Sequence, residues 1–262
     1  VVEVSKQVPL YSIEGEKKGE VELPQVFEMP VRFDIIRRAY IASLSAKFQP
    51  KGVDEYAGKR TSAESLGAGY GIARVPRIRG SRRAARAPMT VGGFRAHPPK
   101  ADKVVAEGIN RKEKRIARLS AIAATASEEL VRKRGHRVPE GIKLPIVVED
   151  EIEEVDRTRV VYKLLAKLGL EKELERCKRR WSHERAGRGK MRGRRRKSVS
   201  GPLLIVSTPH CPLRKAARNI PGVQVEPVSS LSVIHLAPGG EPGRLTIWSA
   251  KALGELNEVK PI

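Results

Sequence analysis

Cysteine is nearly absent. Cys177 and Cys211 are the only two, far apart and outside any CxxC spacing, which excludes a disulfide framework and a four-cysteine zinc site and fits reduced thiols. The five histidines (His97, His136, His183, His210, His235) have no ligand spacing with one another or with the cysteines, so neither a metal nor a cofactor is expected. Aromatic residues make up 4% of the chain, too few for a single-strand binder built on stacking platforms. Long hydrophobic runs are missing too. None approaches the ~20 residues of a membrane span, and no basic amphipathic helix carries Trp or Phe anchors, so no membrane partner is expected. The opening VVEVSKQVPL has no charged region followed by an apolar stretch and a cleavage site, which makes the cytosol the expected compartment.

Acid is the other shortage, and it is local. The chain carries 52 Lys and Arg against 30 Asp and Glu, a formal net charge of +22, which implies a polyanionic partner. Residues 59–100 hold ten basic side chains and one acid, Glu64; residues 176–197 (RCKRRWSHERAGRGKMRGRRRK) hold twelve and one, Glu184. The remaining 198 residues are nearly balanced, with 30 basic and 28 acidic side chains. A solvated helix face mixes signs so that i,i+4 pairs form; these two windows have almost no carboxylates to pair with. Self-repulsion is expected to keep them extended until an external anion orders them.

A body is legible around them. VPLYSI and EVELP read as strands flanking the turn EGEKKG, and a helix starts at Asp34 and ends near FQPKG. From there to about residue 108 no period of 2 or 3.6 persists; the 59–100 window holds six glycines and four prolines, the mark of a functional extension. One long helix is expected over NRKEKRIARLSAIAATASEELVRKRG, with Ile116, Leu119, Ala123, Ala126 and Leu130 on one stripe. Strand KLPIVVED, helix DRTRVVYKLLAKLGL and short helix EKELERCKRRW follow, then strands PLLIVS, VQVEPVSS and LTIWSA alternating with helices PLRKAARNI and KALGELNE, with VIHLAPGG as a connection. Apolar strands alternating with helices predict an α/β, three-layer, Rossmann-like body with a mainly parallel sheet, plus a long extended arginine/glycine-rich loop. The expected division is a body of residues 1–48 and 109–262, an inserted loop of 49–108, and a second basic loop of 176–197.

Little points to catalysis. GAGYG fails the dinucleotide fingerprint, since Ile72 stands where the third glycine belongs, and no strand-to-helix context surrounds it. The run Glu149, Asp150, Glu151, Glu153, Glu154, Asp156 follows a strand, where a metal-dependent nuclease would place carboxylates. The simpler reading sets these acids at the start of the helix near Arg157, complementing its dipole. An RNA-processing nuclease is the alternative to a non-catalytic RNA-binding protein, and convergence of those carboxylates separates the two. Arginine dominates both windows, and its planar fork suits irregular folded RNA; no helix-turn-helix, zinc finger or basic zipper supports DNA.

ESLGAGYGIARVPRIRG, RRAARAPMTVGGFRAHPPK and INRKEKRIARLSAIAATA resemble the large-subunit ribosomal protein L-four family in its archaeal and eukaryotic branch. The resemblance spans essentially the whole chain. The basic C-terminal extension of eukaryotic members is missing after NEVKPI, which points to an archaeal source. It implies a non-enzymatic constituent of the large ribosomal subunit in the cytoplasm, partnered by large-subunit ribosomal RNA, neighbouring ribosomal proteins and the nascent peptide, not by DNA or a second copy of itself. It further implies that the loop lines part of the peptide exit tunnel and that the protein supports subunit assembly. Carried over by position, Arg74, Arg77, Arg79, Arg82, Arg83 and Arg86 lie on the inner loop, and Arg95, His97 and Lys100 on its returning limb. Pro76, Arg77, Ile78, Arg79, Gly80, Ser81, Arg82 and Arg83 form the expected tip. In the second loop Arg179, Arg180, Arg188, Lys190, Arg192, Arg194, Arg195, Arg196 and Lys197 are expected on RNA.

Overall fold

The computed structural model describes residues 6–257; residues 1–5 and 258–262, including most of NEVKPI and both ends of the expected body, lie outside the described residues. In chain order the elements are β1 (Gln7–Tyr11), β2 (Lys17–Glu22), α1 (Phe33–Ser45), α2 (Arg111–Ala123), α3 (Glu128–Lys133), β3 (Ile146–Val148), α4 (Thr158–Lys167), α5 (Glu171–Ser182), β4 (Leu203–Val206), α6 (Leu213–Ala217), β5 (Gln224–Pro227), α7 (Val233–Leu236), β6 (Thr246–Ser249) and α8 (Ala250–Asn257). The chain divides into two compact units, Ser45–Ala106 and the remainder.

The larger unit is an α/β fold around a six-stranded sheet of order β2-β1-β3-β6-β4-β5. All neighbours run parallel except the β2–β1 pair, which is antiparallel. Strand residues point alternately to opposite faces, so apolar runs such as LLIV in β4 can supply two cores at once. Ile146, Val148, Leu204, Val206 and Ile247 join a cluster with α4, α5 and α6. Val147, Leu203, Ile205 and Trp248 face the opposite cluster, built from α1, α2, α7 and α8. Trp248 is fully buried and meets Phe27 edge to face, ring centroids 5.9 Å apart.

Three local expectations change. The first turn is tighter than EGEKKG suggests: Gly15 N donates to Ser12 O at 3.0 Å, and Lys17 already belongs to β2. The single helix expected over residues 110–135 is two. Ala126 N donates to Ala123 O at 3.1 Å, the Thr125 hydroxyl donates back to Ile122 O at 2.7 Å, and Ser127 then accepts from Leu130 N at the start of α3. Hydroxyl side chains offer the backbone partners other than the next helical turn, and an apolar stripe does not report that competition. Within VIHLAPGG, Val233–Leu236 forms a helical turn that buries Val233 and Leu236.

Removing the Trp248 side chain should empty the centre of one core. Trp248→Ala is expected to destabilise the larger unit by about 3–5 kcal/mol in chemical denaturation followed by far-UV circular dichroism.

Candidate nucleic-acid interface

In the smaller unit, backbone pairing holds the arginine-rich segment. Glu64 and Arg77 exchange two N–H···O bonds of 3.0 and 2.9 Å. Arg77 also stands opposite Ala84, and Ala85 N donates to Pro76 O at 2.9 Å, Ile78 N to Arg83 O at 3.1 Å. The expected tip, Pro76–Arg83, is thus most of a small hairpin that turns at Gly80, with φ +74°. Ser65 Oγ donates to Arg74 O at 3.0 Å and closes a second excursion containing GAGYG. Its three glycines all have positive φ and no atom near a would-be Cβ, so conformation rather than close approach requires them.

Close approach occurs elsewhere. A Cβ on Gly58 would lie 2.4 Å from the Gly93 carbonyl carbon, and one on Gly93 would lie 1.9 Å from Ala87 O. Lys59 Nζ sits 5.6 Å from the Phe94 ring centroid, and Asp54 pairs with Arg60. Backbone pairing of this kind was not foreseen from composition, because hydrogen bonds between main-chain groups leave no mark on charge or hydropathy.

The second polycation is built on α5. Glu173, fully buried, accepts from His136 Nδ1 at 2.7 Å, Arg137 N at 3.0 Å, and Arg176 Nε and Nη2 at 2.8 and 2.6 Å. Arg176 Nη2 also donates to Ser200 O at 2.9 Å, so one guanidinium joins the start of the segment to its end. Burial alone would raise the Glu173 carboxyl; hydrogen bonds from Arg176 and His136 outweigh it and hold the group at about 2. Burial lowers His136 despite the carboxylate, so at neutral pH it is an uncharged Nδ1–H donor. Beyond α5, Arg185 N donates to Arg195 O at 2.9 Å, Arg194 N to Gly189 O at 3.0 Å, and Arg196 lies 5.7 Å from the Trp181 ring centroid. The segment is a closed hairpin-like loop.

Of the eighteen basic and histidine side chains expected on RNA, all are exposed except Arg77 and Lys197, which are half-buried. The two acids in the windows each hold one arginine: Glu64 pairs with Arg79 at 3.0 Å and Glu184 with Arg195 at 2.7 Å. Arg77 donates from Nη1 to Arg82 O at 2.5 Å, yet its buried Nε has no partner among the described residues, and neither has the Nε of Arg185. Each orphan carries a penalty on the order of 1–3 kcal/mol that the protein alone leaves unrelieved. Exposed apolar side chains also gather in the smaller unit, with Met89 77% and Val91 83% exposed.

The acidic run does not converge. Glu153 reaches the carboxyl-end edge of the sheet and accepts from Ser207 N at 2.7 Å, Thr208 N at 3.3 Å and Ser249 Oγ at 2.6 Å. Asp150 accepts from Lys251 N at 2.6 Å, and Glu149 pairs with Lys18 at 2.9 Å. A carboxylate therefore does cap a helix, but it is α8 rather than the helix after Arg157. Among the described residues no group of three or more His, Cys, Asp or Glu could hold a metal ion.

One buried and one half-buried arginine escaped sequence reasoning. Arg244 is 1% exposed and donates to Gly201 O at 2.9 Å, Gln224 Oε1 at 2.6 Å and His235 O at 2.8 Å; burial lowers it to about 10. Arg134 donates to Glu241 O and Pro238 O. Isolated basic residues in balanced sequence give no sign that they turn inward.

An α/β body bearing two backbone-pinned, acid-poor arginine segments defines a polyanion-binding scaffold protein. The chain matches the ribosomal protein L4/L1 family over residues 21–259, and it belongs to that family. It is 49% identical to the large ribosomal subunit protein uL4 of Aeropyrum pernix over 96% of this chain and 92% of that protein. Its identity to the uL4 of Saccharolobus solfataricus is also 49%, over 97% and 95% of the two chains. The uL4 of Pyrobaculum aerophilum is again 49% identical, over 96% and 89%.

Two outcomes test the anchoring. Glu173 is depressed in the folded state, so its contribution is complete above the ordinary value near 4.5 and is lost as pH falls toward 2. His136 is depressed too, so protonation of the unfolded chain weakens the fold as pH falls below 6.5. Glu173→Gln should cost about 3 kcal/mol at pH 7 and flatten the pH dependence of thermal unfolding between pH 4.5 and 2. Gly93→Ala forces backbone to move and should speed amide exchange at Thr90 and Gly93, whose N–H groups close that turn, by about 10-fold or more.

Proposed function

We propose that this protein is a structural, non-catalytic constituent of the large ribosomal subunit in the cytoplasm. It binds large-subunit ribosomal RNA, lies beside neighbouring ribosomal proteins and supports subunit assembly. The observation that carries this reading is the pair of segments in which backbone groups pair internally while most arginine side chains stay exposed with almost no carboxylates to neutralise them. Family membership, with archaeal relatives of matching length named as large-subunit proteins, supports it. Dispersal of the acidic run onto Ser207, Thr208, Ser249, Lys251 and Lys18 removes the basis for a nuclease.

In finer detail, the body over residues 1–48 and 109–262 is a Rossmann-like three-layer scaffold, and 49–108 and 176–197 are its RNA-binding extensions. Arg74, Arg77, Arg79, Arg82, Arg83, Arg86, Arg95, His97 and Lys100 contact RNA from the first. Arg179, Arg180, Arg188, Lys190, Arg192, Arg194, Arg195, Arg196 and Lys197 do so from the second. The Pro76–Arg83 hairpin lines part of the nascent-peptide exit tunnel. What supports that placement is a compact turn whose Arg79, Arg82 and Arg83 are exposed and whose own hydrogen bonds, with Arg77 drawn onto Arg82 O, fix its shape.

Binding to a large-subunit RNA transcript should be steeply salt-dependent, falling about 10³- to 10⁵-fold between 50 and 200 mM salt if some ten cations lie on phosphates. A nearly flat response in filter-binding titrations would remove the reading. Replacing residues 66–95 with a short Gly/Ser linker should leave the protein in high-salt-washed large subunits while altering passage of nascent peptides. Failure of the intact chain to sediment with those subunits would count against ribosomal residence altogether.

A further inference from the structure

The larger unit has a basic groove of about 450 Å³ outside both polycations. One wall is α2, which presents Arg111, Lys114 and Arg118 with Arg115 between them, at positions i, i+3, i+4 and i+7. Three- and four-residue steps bring side chains onto one helix face, and this stripe runs about 10 Å along the axis. The other wall is the turn before α7, which contributes Ser229, Ser230 and Ser232. Arg111, Lys114 and Arg118 have no ion-pair partner among the described residues. Glu113 of α2 pairs with Arg38 at 3.3 Å, Glu226 accepts from Ser230 Oγ at 3.3 Å and faces His235, and Glu255 lines an adjoining pocket with Arg118 and Ser229 without an ion pair to either wall among the described residues. Ser229 is exposed, while Ser230 Oγ donates to Glu226 and Ser232 Oγ lies 3.4 Å from His235 Nδ1, so the serine wall is polar and the unneutralised cations of α2 supply the charge that a phosphate site needs.

We infer that this groove is a third RNA-binding site, in which the α2 cations and the facing serines hold phosphodiester groups of the same RNA that the two polycations bind. The inference rests on the functional reading above for the identity of the polyanion. It adds a contact surface on the folded body, which a net charge count makes look nearly neutral. Because α2 is anchored in the core through Ala117, Leu119, Ala121 and Ile122, its cations are held without RNA, unlike side chains on a mobile tail. Such a site orients the body on RNA rather than adding affinity alone.

The test is the salt dependence of binding to a large-subunit RNA transcript, comparing the intact chain with the triple variant Arg111→Gln, Lys114→Gln, Arg118→Gln. The control is Arg159→Gln, Lys163→Gln, Lys167→Gln, which removes the same charge from exposed positions on α4. The groove variant should lose about 10- to 100-fold in affinity near 0.15 M salt and lower the magnitude of the log–log salt slope by about 2–3. The control should change the slope by less than about 1. Equal slopes for the two variants overturn the groove site while leaving the polycations' role intact, whereas a flat slope for the intact chain overturns the functional reading itself. If thermal unfolding shows the triple variant to be damaged through Arg118, the double variant Arg111→Gln, Lys114→Gln, at two exposed positions, decides the matter. A slope reduced by about 1–2 supports the site, and an unchanged slope refutes it.

Discussion

Like-charge repulsion is the constraint on which the rest of this structure depends. Two short segments hold most of the net charge, and side-chain pairing inside them neutralises only a few arginines. Hydrophobic burial cannot order them, because their apolar residues are few and several stand exposed. What remains is the backbone. Main-chain N–H···O bonds at Glu64, Arg77 and Ala85 in one segment, and at Arg185 and Arg194 in the other, fix a path that lets most guanidinium groups diverge into solvent. The orphaned Nε groups of Arg77 and Arg185 show where the solution is incomplete, since each guanidinium is drawn inward without a full set of acceptors.

Within the larger unit, buried side chains contribute to that solution for the second segment. Arg176 belongs by sequence to the second polycation, yet it does the opposite work: its guanidinium lies in a bidentate pair with Glu173 and reaches Ser200 O, tying the segment's two ends together. Arg244 acts on the same returning end through Gly201 O. A buried carboxylate and a buried guanidinium, each with its hydrogen-bonding capacity largely met by the fold, thus clamp the base from which exposed cations project. Burial without such partners would cost several kcal/mol per ion, which is why these charges occur in networks and not singly.

The parts of the fold that rest on hydrophobic periodicity were legible. Val161, Leu164, Leu165 and Leu168 stand at helical spacing in DRTRVVYKLLAKLGL and all are buried; the apolar strands of a three-layer body feed cores on both sides. The parts that rest on polar atoms were not. Thr125 and Ser127 break a helix that its apolar stripe carries across without a gap. Asp150 was expected to serve the helix that follows it in sequence and instead accepts from Lys251, about a hundred residues on. Hydrophobic pattern is a property of neighbours along the chain, whereas a hydrogen-bond partner is chosen by the tertiary fold.

The same distinction governs how charge should be read. A window count finds cations that are neighbours in sequence, and it found the two polycations. It passes over α2, whose five cations and single acid, Glu113, are a shorter run than either polycation and sit in a body that is nearly balanced as a whole. On the helix, Glu113 pairs with Arg38 of α1, while Arg111, Lys114 and Arg118 line the groove with the serine turn. Segregation by face concentrates that local excess on one surface of a body whose overall count is nearly balanced. For a protein that meets a rigid polyanion over a broad area, charge per face is the quantity that matters, because phosphates beyond a Debye length, ~8 Å at physiological salt, scarcely sense charges on the far side.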